Sequence, residues 1–236
     1  MKIQLAFITL LFSLMACKPS HTAYNDIKIA GAMKNVMWHG KLAGIINIDT
    51  ISDKTGLYGI GPLAYLRGEI LINNGTAYVS KVISKTEMQV EENTKIEAPF
   101  FVFGNVTKWE KYQLPDSVHN INSLENHLDY ISKSFKGPFV FKLKGRIKSA
   151  TIHIQNLPLG TMVSSPDQAH QGQVKYLLKN TDVEIIGFFS TEHQAVFTHH
   201  GSFTHMHLIS DDKKEMGHLD EVEFISQKMD LFLPVE

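Results

Sequence analysis

Phe203-Thr-His-Met-His-Leu-Ile-Ser-Asp-Asp-Lys-Lys-Glu-Met-Gly-His-Leu-Asp220 is the most informative stretch of the chain. Phe203 to Ile209 reads as a strand. Side chains two apart on a strand share a face, so His205 and His207 project together while Met206 points the other way, into apolar packing. Ser210 to Gly217 is polar and turn-like, and it carries the chain back so that His218 meets the first two. Three imidazoles with an open position make a familiar catalytic zinc arrangement. Neutral imidazole also suits copper, iron and nickel, so the pattern does not name the metal. A lone His-x-His pair is more often exposed or core than ligating; the third histidine after a short turn is what makes this a candidate metal site.

Outward from this hairpin, strand signals dominate. Glu69 to Val79 carries Asn74-Gly75, the pair favoured in a type I′ hairpin turn. Pro99 to Val106 (PFFVFGNV) is apolar and aromatic and reads as a buried strand. Leu57 to Pro62 reads as a glycine-rich bend. Phe139 to Ile147, Ala150 to Gln155, Val183 to Phe189, Gln194 to Thr198, Val222 to Ile225 and Met229 to Leu233 read as further strands. Two segments read as helices: Asn25 to Trp38, and Asn120 to Phe135 with Leu124, Leu128 and Ile131 on one face.

The 236 residues suffice for one large domain or two small ones, either able to bury a core without a disulfide or metal for support. Apolar residues make up 43% and charged residues 20%, the balance of a folded globular chain. Lys and Arg number 23 against 24 Asp and Glu, so there is no basic excess to serve as a nucleic-acid footprint. A single cysteine excludes an internal disulfide framework and a multi-cysteine zinc site. That leaves the twelve histidines as the abundant source of metal ligands.

Met1-Lys2 followed by the apolar run Ile3 to Leu14 reads as a signal peptide, too short to span a bilayer comfortably. Leu14-Met15-Ala16-Cys17 resembles the lipobox of bacterial lipoproteins, which implies cleavage before Cys17 and lipidation of it. The expected organisation is a signal peptide over 1–17, a tether over 18–24, and an exported domain anchored to a bacterial membrane, on its periplasmic side or at the cell surface, through lipid alone. The plainer alternative is an ordinary secretory signal. Among the other histidines, His199-His200 read as a solvated turn before Gly201. His170 and His193 sit in polar segments, and His21, His39, His119 and His127 have no partner by spacing.

Taken in order, several segments resemble the alpha-acetolactate decarboxylase family, from about Ala32 to Pro234. They are AMKNVMWHGKLAGIINIDTIS at 32–52, Gly56 to Gly61, Leu66 to Ile70, Asn74 to Tyr78, Ala98 to Phe101, Ile186 to Phe188, His205-x-His207 and Gly217 to Asp220. The resemblance implies an α+β fold in two tightly packed halves, 25–136 and 137–236, built mainly of mixed or antiparallel sheet with a few short helices. The metal falls on the second half, facing strands of the first near Glu69.

It also implies a zinc enzyme that converts 2-acetolactate to acetoin, with Zn2+ held by His205, His207 and His218 and with Glu69 as proton donor. Loss of carbon dioxide from a 2-hydroxy-3-oxo acid leaves an enediolate, whose charge a Lewis acid stabilises and which a tuned carboxyl can protonate. By residue type alone, Glu69 reads as a surface glutamate at a strand edge. Two positions depart from the family pattern. His153 stands where the family has a catalytic arginine; a histidine offers one donor per nitrogen and not a fixed charged fork. The family's second catalytic glutamate, beyond the last strand, has no counterpart assigned here, where the sequence reaches Pro234-Val-Glu236. Arg67 replaces the acidic residue before the family's Gly-Glu, and the expectation is that its positive charge near Glu69 compensates in part. A different lyase or isomerase of small oxygenated acids, and a zinc-binding lipoprotein without turnover, are the alternatives. The resemblance leaves a homodimer open.

Overall fold

The computed structural model describes residues 27–235; the signal peptide with Cys17, the tether and Glu236 lie outside them. In chain order the elements are β1 (Lys28–Gly31), α1 (Met33–Met37), β2 (Ile46–Asn47), β3 (Leu57–Pro62), β4 (Glu69–Asn73), β5 (Thr76–Val82), β6 (Met88–Glu92), β7 (Glu97–Ala98), β8 (Phe100–Asn105) and β9 (Trp109–Gln113). There follow α2 (Ile121–Ser132), β10 (Phe139–Ile154), α3 (Pro166–Ala169), β11 (Val174–Lys179), β12 (Asp182–Phe189), β13 (Thr204–Ser210) and β14 (Met216–Pro234). This is the α+β architecture expected from the sequence. All pairings between these strands are antiparallel.

The first sheet runs β1-β8-β3-β4-β5-β6. The β4–β5 connection is the expected Asn74-Gly75 turn, with both residues at positive φ (50° and 89°) as type I′ requires. Leu57 to Pro62 is a fully buried strand, not a bend. Its glycines serve close packing: a Cβ on Gly59 would meet the Phe101 ring at 2.6 Å, and the missing side chain leaves room for that ring.

The second sheet runs β11-β10-β12-β13-β14-β9, and β10 also pairs with β14. The pairings β10–β12–β13–β14–β10 therefore close on themselves. β10 and β14 are long enough to do this because bulges near Gly145, Ile147 and Ile152 bend them. Each merges two segments that read as separate strands in the sequence. Inside the ring lie Phe139, Phe141, Leu143, Met206 and Leu208, covered by Leu124 and Leu128 of α2. Burying each such side chain contributes about 1.5–3 kcal/mol. Asn120 caps α2: its Oδ1 accepts from Ser123 N and its own N–H donates to Ser123 Oγ, both at 3.0 Å.

Between the two sheets, Tyr58, Ile60 and Leu71 of the first pack on Ile186, Phe188 and Ile209 of the second. Two local expectations fail for tertiary reasons. Of the segment read as a helix over Asn25 to Trp38, Lys28–Gly31 is a strand, because the edge of β8 offers it a backbone partner, and Gly31 at φ 68° ends it before α1 begins. Gln194 to Thr198 is an irregular loop with a single bridge from Gln194 to Thr198; its amide and carbonyl groups bond to α1 and within the loop instead of to a sheet.

Candidate metal centre

The closed ring of strands delivers the histidines. Register pairs His207 with His218 across β13–β14, and His153 with His218 across β10–β14. Alternation along β13 sends Met206 and Leu208 into the ring core, while Ile209 lies between the sheets. His205 and His207 share the Ile209 face, as their spacing predicts. The ring centroids of His205, His207 and His218 lie 5.0–5.5 Å apart, and one nitrogen of each falls within 4.8 Å of the others. All three are buried.

Glu69 faces them from the other sheet. It opens β4, and it is 2% exposed, so the surface-edge reading does not apply. Its Oε1 accepts from the Gln155 N–H at 3.1 Å, and its Oε2 lies 3.7 Å from His207 Nε2. His153 Nε2 is 4.0 Å from Glu69 Oε1, and His153 Nδ1 is 2.6 Å from Asp220 Oδ1. Asp220 also meets Lys175 Nζ at 3.1 Å. Glu69, His153, His205 and His218 line one narrow cavity with Met33, Met37 and Phe100. It holds about 20 Å³, room for roughly one water molecule.

Burial sets the protonation states. Desolvation pushes the Glu69 carboxyl well above its ordinary value, with the Asp220 charge adding and the Gln155 N–H opposing. Desolvation likewise lowers His207 to about 3 and takes His205 and His218 well below the ordinary histidine range; neighbouring imidazoles add to this. The backbone of Phe197 and of Ile70 pulls His205 and His207 back slightly without reaching hydrogen-bond geometry. For Asp220, burial would raise the carboxyl, but His153 and Lys175 hold it below its ordinary value. The same burial that raises the Glu69 carboxyl lowers the His207 imidazole, so both shifts weaken ion pairing across their 3.7 Å contact.

These residues fit a metal ion. Nδ1 of His205 and both ring nitrogens of His207 are buried without a hydrogen-bond partner. An orphaned buried nitrogen costs about 1–3 kcal/mol, and a cation accepting its lone pair removes that cost. Three neutral imidazoles are the donor set of a borderline divalent ion. His153, His218 and Asp220 form a second, overlapping group able to hold one.

Spacing in the sequence thus brings His205, His207 and His218 together, and Glu69 and His153 join them in space. Neither arginine reaches the cavity: Arg146 pairs with Asp182 at 2.9 Å on the surface, and Arg67 donates to the Leu157 carbonyl at 3.2 Å. Two histidines set aside in the sequence belong to the site. His199 is half-buried, with Nε2 3.1 Å from His218 Nε2, and His170 lines the cavity from the end of α3. Nothing in their local pattern marks either one; both are placed by irregular segments.

Known proteins share this sequence pattern and this fold. Residues 30–232 match the model of a family described as alpha-acetolactate decarboxylase. A curated alpha-acetolactate decarboxylase of Brevibacillus brevis is 24% identical over 200 residues, covering 84% of this chain and 66% of that protein. An acetolactate decarboxylase structure from Bacillus subtilis subspecies spizizenii superposes with a TM-score of 0.71 at 19% identity, over 89% of this chain and 86% of that one. A Staphylococcus aureus protein of unknown function, described as similar to alpha-acetolactate decarboxylase, gives 0.71 at 18% identity over 90% and 87%.

Proposed function

This chain belongs to the alpha-acetolactate decarboxylase family, and from that premise we propose that it is an exported, lipid-tethered, zinc-dependent enzyme converting 2-acetolactate to acetoin and carbon dioxide. The observation that carries the reading is a buried carboxyl from the first sheet, Glu69, set 3.7 Å from His207 in a cluster of three buried imidazoles from the second.

His205, His207 and His218 would hold a divalent ion, which when bound would supply Lewis acidity against negative charge developing on the substrate. The chain does the rest. Glu69 Oε1 accepts the Gln155 N–H, so Oε2, 3.7 Å from His207 Nε2, is the oxygen that would carry the proton. From there the carboxyl donates to one face of the enediolate left when the carboxylate carbon departs. His153 takes the place of the family arginine. Asp220 anchors its Nδ1, which leaves Nε2 directed at the cavity side of Glu69, where the ring donates to the substrate carboxylate when Nε2 carries a proton as well. The apolar walls Met33, Met37 and Phe100 exclude water.

A second reading, a lyase or isomerase for another small 2-hydroxy acid, is favoured by the absence of any arginine from the cavity. The soluble chain starting at Lys18, purified without a histidine tag, is to be assayed with racemic 2-acetolactate and zinc. Acetoin formation above the spontaneous rate supports the decarboxylase; no turnover with one tightly bound metal per chain retires it and leaves the second reading or a metal-binding protein without turnover. For the tether, a Cys17→Ser change should move the full-length chain from the detergent phase to the aqueous phase on extraction.

A further inference from the structure

His199 meets the cluster from outside the strands. Its Nε2 lies 3.1 Å from His218 Nε2, and its ring stands edge-on to His218 and His205 with centroids 4.9 and 6.1 Å away. It sits on the irregular loop between β12 and β13, fastened on both sides. Before it, the Val196 and Ala195 carbonyls accept from Met33 and Lys34 N–H at 2.7 and 2.9 Å. After it, Glu125 Oε1 of α2 accepts from the Phe203 and Thr204 N–H groups at 3.1 Å, from the Thr204 hydroxyl at 2.7 Å and from the Ser202 hydroxyl.

Two nitrogens bound to one ion at about 2.0–2.1 Å lie about 2.9–3.4 Å apart for right-angled to tetrahedral coordination. The His199–His218 separation falls in that range. As a hydrogen bond, the same contact needs a proton on one nitrogen and consumes the lone pair of the other. Once His218 gives that lone pair to an ion, the lone pair of His199 is free to turn toward the same ion.

The surroundings add a second argument. The cavity at Glu69 holds about 20 Å³, less than a small hydroxy acid occupies. Next to it lies a cleft of about 250 Å³ lined by Ile121, Ser202, Thr204 and Asp220, and His199 and His218 line both spaces. His218 is held by strands on both edges, at His207 and His153. Of the two residues that line both spaces, His199 is the one that no strand holds.

We propose that His199 is a fourth, exchangeable metal ligand: it fills the open coordination position in the resting site and turns into the cleft when a small 2-hydroxy acid takes that position. The proposal rests on the metal-centre reading above, and the test separates the two. The soluble chain is loaded with cobalt(II), and its visible spectrum and cobalt affinity are compared with those of His199→Gln, His199→Ala and His205→Ala. Unreactive 2-hydroxyisobutyrate serves as the probe acid, and circular dichroism checks that each variant is folded. The expected result is one cobalt per chain in both His199 variants, bound about 10- to 100-fold more weakly, with displaced d–d bands. The probe should bind these variants several-fold more tightly than the parent, since no ligand must leave. Unchanged spectra and affinity in the His199 variants, with metal lost in His205→Ala, would overturn the role of His199 and leave the centre standing. A parent chain that takes up no cobalt would overturn both.

Discussion

The backbone N–H of Gln155, at the end of a strand of the second sheet, donates to Oε1 of Glu69, at the start of a strand of the first. This buried bond spans the interface between the sheets. It fixes the glutamate carboxyl opposite the histidines and turns Oε2 toward His207.

Replacing Glu69 by Gln keeps an acceptor for Gln155 and removes the acid. Metal content and melting temperature should stay close to the parent, while acetoin formation falls by about 10²- to 10⁴-fold. Glu69→Ala leaves the buried Gln155 N–H unpaired and should cost about 1–3 kcal/mol as well. Metal analysis and a turnover assay on the same samples check both; a fully active glutamine variant would remove Glu69 from the proton-donor role.

Glu125 gathers four donors from residues 202–204 onto one carboxylate oxygen. Glu125→Ala leaves the Phe203 N–H without its acceptor and the Thr204 N–H with Ser202 Oγ alone, and should lower stability by about 1–3 kcal/mol, or roughly 2–12 °C in melting temperature for a chain of this size. Limited proteolysis should cut first between β12 and β13. Cleavage at an unrelated site would show that this carboxylate does not hold the loop.

Gly217 lies across from His153, and a Cβ on it would come 2.6 Å from the His153 carbonyl oxygen. Backbone cannot yield there without parting β10 from β14 at His218. Gly217→Ala should therefore weaken metal binding by more than tenfold even though no ligand is altered. Isothermal titration with zinc measures this, and parent-like affinity would show that the strands absorb the methyl group.

The metal-free protein should lose stability as the pH falls. Unfolded, its histidines titrate near 6.5; folded, His207 sits at about 3, His199 at about 4, and His205 and His218 well below the ordinary range. Between pH 6.5 and about 4 the unfolded chain therefore binds protons that the fold refuses, and stability declines. Glu69 acts in the opposite sense: its raised value withdraws stability as the pH rises above about 4.5. It is one group against four, so the histidine slope dominates. Denaturant midpoints in chelator at pH 7.5, 6 and 5 should fall in that order, and zinc at about 100 times its dissociation constant should add about 2.7 kcal/mol at pH 7.5. A flat profile would contradict the buried neutral state of the cluster.

The sequence by itself determined the local pieces. Two-residue alternation placed His205 and His207 on one face of a strand, a polar turn returned His218 to them, and Asn74-Gly75 specified a hairpin. Each of these depends on neighbours within about fifteen residues. Glu69 was legible only through family resemblance; its residue type and spacing point to the surface. Tertiary structure alone decided that Glu69 is buried against His207, that Asp220 holds His153, and that His199 reaches His218 from a loop. It also decided that Lys28–Gly31 is a strand, by supplying the edge of β8. Periodicity fixes which face of a strand is apolar, but the faces that meet are chosen by closure of the β10–β12–β13–β14 ring and by burial between the sheets, which act between residues far apart in the chain.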